Sequence, residues 1–274
     1  MSIFAQKPLK LLFSFCLFCL ILLQTTEVKA GPLADRVANF PNWKNQPPVS
    51  AAKGDLIYPD WMEGTWQVTS TLVDMVAPLA PDIVTPGFEG NRRYLDRPIS
   101  FLVRFQEAKE NVNNTETLLE FLAQFPFFKP AQSKEKLIVA DREFNGLNIG
   151  KAVLGDRSIL SVKVNPENPN FQTTILPDNL ELISVVTDRG SEMPNPQEFI
   201  ATEITQQIFN GESQIYLNEV ETTTDYRLIL PGKKIEADQI TAVYLSPKDP
   251  DFFAAGGRPV SLYRYCLELT INNE

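Results

Sequence analysis

The chain is 274 residues long, with 25 Lys and Arg against 34 Asp and Glu, a formal net charge of -9 and no histidine. That acidic balance offers no basic footprint to phosphate backbones, which argues against nucleic-acid partners. Without histidine there is no Ser-His-Asp or Cys-His machinery, and the commonest nitrogen ligand for metals is missing. At 43% hydrophobic and 10% aromatic residues, the chain is long enough to bury a core.

In chain order, Lys7 and Lys10 precede an uncharged apolar run over 11–23, and Val28-Lys29-Ala30 supplies a small-x-small pattern. This reads as a secretory signal peptide over 1–30, cleaved after Ala30. The apolar run is shorter than the roughly 18 to 20 residues that span a bilayer, so the mature chain is expected to be exported with no transmembrane span. Cys16 and Cys19 leave with the signal. Cys266 then stands alone, excludes an internal disulfide, and reads as a small buried hydrophobe in a terminal strand rather than a nucleophile.

Residues 31–57 hold Pro32, Pro41, Pro47 and Pro48 without sustained periodicity and read as an extended, proline-rich lead-in. From residue 58 to 274 a single domain is expected. Over 65–72, Trp66, Val68, Ser70 and Leu72 alternate with Thr65, Gln67, Thr69 and Thr71, which is the period of a half-buried strand. Ile99, Phe101, Val103 and Phe105 repeat it. Further strands are expected near 136–141, 158–164, 171–176, 180–188, 198–208, 215–229, 235–246 and 259–272. Two short helices are expected, over 115–124 and 146–154. Turn signals such as Asn165-Pro166, Pro231-Gly232 and Pro247 separate the strands, and this spacing predicts a mainly β, antiparallel meander of about 8–10 strands. Closing it into a barrel would remove exposed edges.

The string Tyr58-Pro59-Asp60-Trp61-Met62-Glu63-Gly64-Thr65-Trp66-Gln67-Val68 opens the first strand. Its Gly64-Thr65-Trp66 resembles the Gly-x-Trp signature of lipocalins and related calycin barrels. The resemblance implies that Trp66 plugs the closed end of a barrel, that Gly64 permits close backbone approach, and that Arg264, from the last strand region, packs across the indole. These would be structural residues rather than ligand contacts. A core tryptophan at the start of any β-domain gives the same three letters. A longer resemblance rests on Asp141-Arg142-Glu143-Phe144-Asn145-Gly146, Tyr216-Leu217-Asn218-Glu219-Val220-Glu221-Thr222-Thr223-Thr224 and Gly257-Arg258-Pro259-Val260-Ser261-Leu262-Tyr263-Arg264-Tyr265. Together with the tryptophan start, these strings look like an uncharacterised family of cyanobacteria with plastid relatives. That resemblance implies a photosynthetic host and places the exported chain in the thylakoid lumen or the periplasm.

Glu219 and Glu221 share one face of their strand, as do Asp225 and Arg227. They either point into a cavity as acid/base or hydrogen-bonding groups, or lie on a solvated face. Glu219, Tyr226, Arg227 and Tyr263 are the candidate polar cavity residues, and Leu72, Phe101, Val103 and Phe105 the apolar lining. Asp141-Arg142-Glu143 with Asn145-Gly146 forms either an anion-binding turn or a salt-bridged one. No calcium loop, Cys cluster, Walker loop or dinucleotide fingerprint occurs, so neither metal nor cofactor is expected. Three functions fit. The first is a non-catalytic barrel holding an apolar small molecule such as a lipid, pigment or quinone. The second is an accessory factor that meets photosynthetic membrane proteins through exposed aromatics at Phe125-Pro126-Phe127-Phe128 or Phe252-Phe253. The third is an enzyme in which inward carboxylates converge with a tyrosine.

Overall fold

The computed structural model describes residues 31–108, 136–211 and 215–272. The leader, the helix expected over 115–124 and the Phe125-Pro126-Phe127-Phe128 run lie outside the described residues. Among the described residues eleven strands make one antiparallel sheet: β1 (Ser50–Ala51), β2 (Gly64–Val76), β3 (Pro98–Glu107), β4 (Ile138–Ala140), β5 (Ser161–Asn165), β6 (Asn168–Ile175), β7 (Glu181–Asn195), β8 (Glu198–Asn210), β9 (Ile215–Leu230), β10 (Lys234–Leu245) and β11 (Ser261–Ile271). The spatial order is β4-β3-β2-β11-β10-β9-β8-β7-β6-β5, with β1 paired to β7. Among the described residues three α-helices accompany it, α1 (Pro32–Ala38), α2 (Arg142–Leu154) and α3 (Phe252–Ala255), with short 3-10 turns at Asp60–Met62 and Glu89–Tyr94. Among the described residues no helix is long and apolar enough to cross a membrane.

The alternation reads directly into burial. Along β10, Ile235, Ala237, Gln239 and Thr241 fall on one face, and Asp238, Ile240, Ala242 and Tyr244 on the other. The first face, which looks toward α2, is called inner; both faces are covered. The inner core gathers Met62, Trp66, Val68, Val103, Phe105, Ile138, Ile235, Ala237, Leu267 and Leu269. On the outer face Ile200, Ile240, Ala242, Tyr244 and Leu262 pack against Leu33 and Val37 of α1 and against Trp43. The segment over 31–57 is therefore not simply extended. Pro32 starts a helix at a position where a missing N–H costs nothing, and Leu33 and Val37, four apart, present one apolar face to the sheet.

The sheet curls into a half-barrel instead of a closed one. Its terminal strands β4 and β5 do not pair, and the reason is α2, which lies between them. The string Asp141-Arg142-Glu143-Phe144-Asn145-Gly146 spans that seam residue by residue. Asp141 caps its own helix by accepting from the Phe144 N–H at 3.2 Å and pairs with Arg104 of β3 at 2.8 Å. Asn145 accepts from the Arg104 backbone N–H at 2.7 Å and returns a bond to the Arg104 carbonyl at 3.2 Å. On the other side Glu143 accepts from the Val164 N–H of β5 at 2.8 Å. A Cβ on Gly150 would lie 2.8 Å from Ile159, so glycine lets the helix settle against the β5 side. The string is a salt-bridged clamp, and its charges are directed at neighbouring strands rather than at a free anion.

Tyr58, just after the lead-in, bridges through its backbone to Ile138 of the edge strand β4. Gly64 has φ +130, and an added Cβ would meet Ile271 at 2.9 Å. Both facts require glycine where the chain turns into β2.

Candidate functional site

Between the inner face and α2 lies an open cleft of about 440 Å³. Its walls are largely apolar. Val68 of β2, Phe101, Val103 and Phe105 of β3 and Leu267 and Leu269 of β11 line the sheet side, and Ile149 and Val153 of α2 the other. Ile149 and Val153 are exposed, at 39% and 57%, because α2 turns them into the cleft mouth and not into a packed core. Polar side chains share the lining: Tyr58, Arg142, Glu203, Tyr226 and Tyr265, with Ser70, Asn145, Gln172, Gln239 and Thr241.

One end of the cleft carries a compact ion cluster. Glu203 of β8 accepts from Arg142 at 2.7 Å and from Arg189 of β7 at 2.6 Å. Arg142 also meets Asp55 at 3.4 Å. Arg189 extends to the Asn170 side chain at 2.7 Å and to the Gly54 carbonyl at 2.5 Å. Burial pushes the Glu203 carboxyl up, and the two guanidiniums outweigh that and hold it below the usual carboxylate range. Beside the cluster, Tyr58 packs edge-on against Phe105 at 4.7 Å between ring centroids and lies 6.4 Å from Tyr226. Burial drives Tyr58 well above an ordinary phenol and Tyr226 up to about 12. Both are uncharged hydroxyls at any physiological pH.

The four polar residues expected from the sequence do not form one site. Tyr226 lines the cleft. Arg227, its neighbour in β9, must face the other way; it is exposed and pairs with Asp225 at 3.3 Å. Glu219 also lies on the outer face, against Gln46, where it borders a separate depression with Asn45, Tyr244 and Arg258. Tyr263 is buried among Leu72, Met75 and Phe88 and its hydroxyl accepts from Asn91 at 3.1 Å. Leu72 belongs to that cluster too, away from the cleft, whereas Phe101, Val103 and Phe105 line it. Tyr58, Arg142, Glu203 and Tyr265 are cleft residues that the alternation pattern did not single out. Glu203 shares the parity of Phe199 and Ala201, both buried, and a charge in that phase of a strand was the available signal.

The expected packing of Arg264 across Trp66 is replaced by another arrangement. The β2–β11 register sets Arg264 opposite Asp74 and Trp66 opposite Ile271. Arg264 donates to Asp238 at 2.9 Å and lies 5.4 Å from the Phe40 ring, on the outer face. Trp66 is inner, fully buried, and donates its indole N–H to the Met62 carbonyl at 2.8 Å. The irregularity in this pairing is an extra residue, Val73, on β2, so β11 keeps its two-residue phase and Arg264 stays on the outer face with Leu262 and Cys266. Cys266, expected to be buried, is exposed, because it shares the outer phase of β11 with Glu268 and Thr270.

On the outer face Glu221 is wholly buried. Arg36 of α1 holds it in a bidentate pair at 2.5 and 2.6 Å, the Tyr244 hydroxyl donates to it at 2.8 Å, and the Thr223 hydroxyl at 2.9 Å. The solvated-face reading therefore fails for Glu221. Burial, offset in part by Gln46, holds Glu219 above the usual carboxylate range. A raised folded-state pKa adds stability below the unfolded value of about 4.3 and loses it as pH rises through the folded one. Glu219→Gln is thus expected to stabilise the protein more, relative to wild type, at pH 7 than at pH 4 in urea titrations. An equal or reversed difference would refute this placement of Glu219.

Among the described residues no group of three or more His, Cys, Asp or Glu side chains is arranged to hold a metal ion. Neither a curated protein nor a solved structure matches the chain. A family model does match, over residues 50–273, from β1 through β11 and with both walls of the cleft inside it. The chain therefore belongs to the family described as a domain of unknown function, DUF6816.

Proposed function

We propose that this protein binds an apolar small molecule in the cleft between the sheet and α2, without catalysing its conversion. The observation that carries the reading is the lining itself. Within a volume of about 440 Å³, inside the roughly 300–1,000 Å³ typical of small-molecule sites, apolar side chains converge from β2, β3, β11 and α2, with polar groups of β6, β8, β9 and β10 beside them. An enzyme of the carboxylate–tyrosine type needs a carboxylate able to exchange a proton. Glu203, the carboxylate that lines the cleft among the described residues, is fixed as an anion by two arginines. Export behind a cleaved leader and residence in a photosynthetic cell, the lumen or periplasm included, are part of this proposal. They rest on the leader pattern and the family-like strings.

Native mass spectrometry of protein purified from its own cells, with analysis of the organic extract, tests the binding reading. A stoichiometric apolar adduct is expected. Ile149→Glu, which sets a carboxylate at the exposed cleft mouth without disturbing the core, is expected to abolish that adduct while leaving the unfolding midpoint within the range of surface substitutions. A ligand-free mass together with no uptake of added apolar probes would overturn the reading.

A second reading has one specific observation behind it. Phe253 of α3 is 88% exposed, stacked edge-on against Phe252, and an exposed ring of this kind suits a contact with a protein partner, as an accessory factor would make. Phe253→Ser should then reduce partner recovery in crosslinking from native membranes and leave small-molecule binding intact.

A further inference from the structure

The charges at the polar end of the cleft compensate one another. Arg142 and Arg189 face Glu203 and Asp55, two cations against two anions, and Arg189 also donates to the Asn170 side chain and the Gly54 carbonyl. A ligand carboxylate entering here would add an unpaired anion beside Glu203, in a largely apolar cleft where desolvating it is costly. The hydroxyls that line the same end are of another kind. Tyr58 and Tyr226 stand 6.4 Å apart between ring centroids, each framed by aromatic rings, Phe105 and Phe199 among them. Burial keeps both phenols protonated, and the Thr224 hydroxyl that hydrogen-bonds Tyr226 favours the Tyr226 oxygen as the acceptor, which leaves the phenol proton to donate. The rest of the lining is apolar at Val68, Phe101, Ile149 and Val153, with Ser70, Gln172, Gln239 and Thr241 as uncharged polar neighbours.

Resting on the binding reading above, we propose that the ligand is an uncharged apolar molecule carrying a carbonyl oxygen, which accepts a hydrogen bond from Tyr226 at the polar end while its hydrocarbon part extends toward α2. An uncharged acceptor satisfies the phenol without disturbing the balanced ion cluster. A fatty acid of the same length would have to bring its charge to an end where each cation already faces a carboxylate.

The test uses three probes of equal chain length, tetradecane, 2-tetradecanone and tetradecanoate, each competing against the neutral fluorophore diphenylhexatriene bound to the purified protein. The ketone is expected to displace the fluorophore at a concentration about tenfold below that of the carboxylate, since one hydrogen bond and one avoided charge burial together amount to at least that factor. In Tyr226→Phe the affinity ratio of ketone to tetradecane is expected to fall about fivefold. A carboxylate that binds as tightly as the ketone overturns the inference and leaves the binding reading standing, and so does an unchanged ratio in Tyr226→Phe. If neither the fluorophore nor any of the three probes binds, the binding reading fails as well. The comparison of ketone with carboxylate needs only the wild-type protein, so a variant that fails to fold does not remove the test.

Discussion

Trp66→Ala is expected to destabilise the fold by about 3–5 kcal/mol, the range for deleting a fully buried large aromatic side chain. The indole has no exposed surface and packs at the centre of the inner core with Met62, Val68, Val103, Ile138, Ile235 and Leu269. These neighbours come from five strands and the turn before β2, so the cavity cannot close by the movement of any one element. Truncation also strips the Met62 carbonyl of its 2.8 Å donor, which adds the cost of an orphaned buried acceptor. Trp66→Phe keeps most of the contact area and loses only the N–H, so its expected cost is smaller, about 1–2 kcal/mol. Urea unfolding of both variants checks the ordering. A loss below about 1 kcal/mol for Trp66→Ala would contradict the burial described here.

Arg36→Ala is expected to cost a comparable amount, about 3–5 kcal/mol, for an electrostatic reason. Glu221 is wholly buried and its two oxygens are held by the Arg36 guanidinium at 2.5 and 2.6 Å. Tyr244 and Thr223 supply hydrogen bonds but no compensating charge. Without Arg36, a carboxylate remains in an apolar layer formed by Ile200, Ile240, Ala242 and Leu262. The guanidinium also stacks on Trp43 at 3.7 Å, so α1 loses an anchor at the same time. If the buried charge is the source of the loss, the double variant Arg36→Ala with Glu221→Gln should recover at least about half of it, because a neutral amide needs no counterion. A double variant as unstable as Arg36→Ala alone would assign the loss to the α1 packing instead. The family match begins at residue 50, so this counterion reaches a buried charge of the matched domain from the chain before it. The integrity of the outer face depends on that segment.

The strands were legible because alternation is a local property. Trp66, Val68 and Ser70 state the phase of β2 wherever the strand lies, and β3, β9, β10 and β11 announce themselves in the same way. Phase within one strand could also have sorted the site residues. Tyr226 and Arg227 are adjacent in sequence and therefore on opposite faces, so they never belonged to one cavity. What phase does not contain is the sign of the face, because Glu221 and Tyr226 read alike until another element covers each side.

That covering is a tertiary event. The half-barrel stays open because α2 occupies the seam, and α2 is held there by Asp141, Glu143 and Asn145 reaching strands far away in sequence. The helix itself is weakly amphipathic, so its sequence carried little notice that it would form a cleft wall. Arg142, Arg189 and Glu203 become a cluster only when β7, β8 and α2 meet, and the counterion of Glu221 arrives from α1, in a lead-in that its prolines made look extended. The sequence by itself determined the strand set, the antiparallel class and the acidic, histidine-free chemistry, since these follow from composition and from a two-residue period. Only the tertiary structure decided which face holds the cleft, which charges pair, and that a helix stands in the seam where strands would have paired, because each depends on contacts between segments distant along the chain.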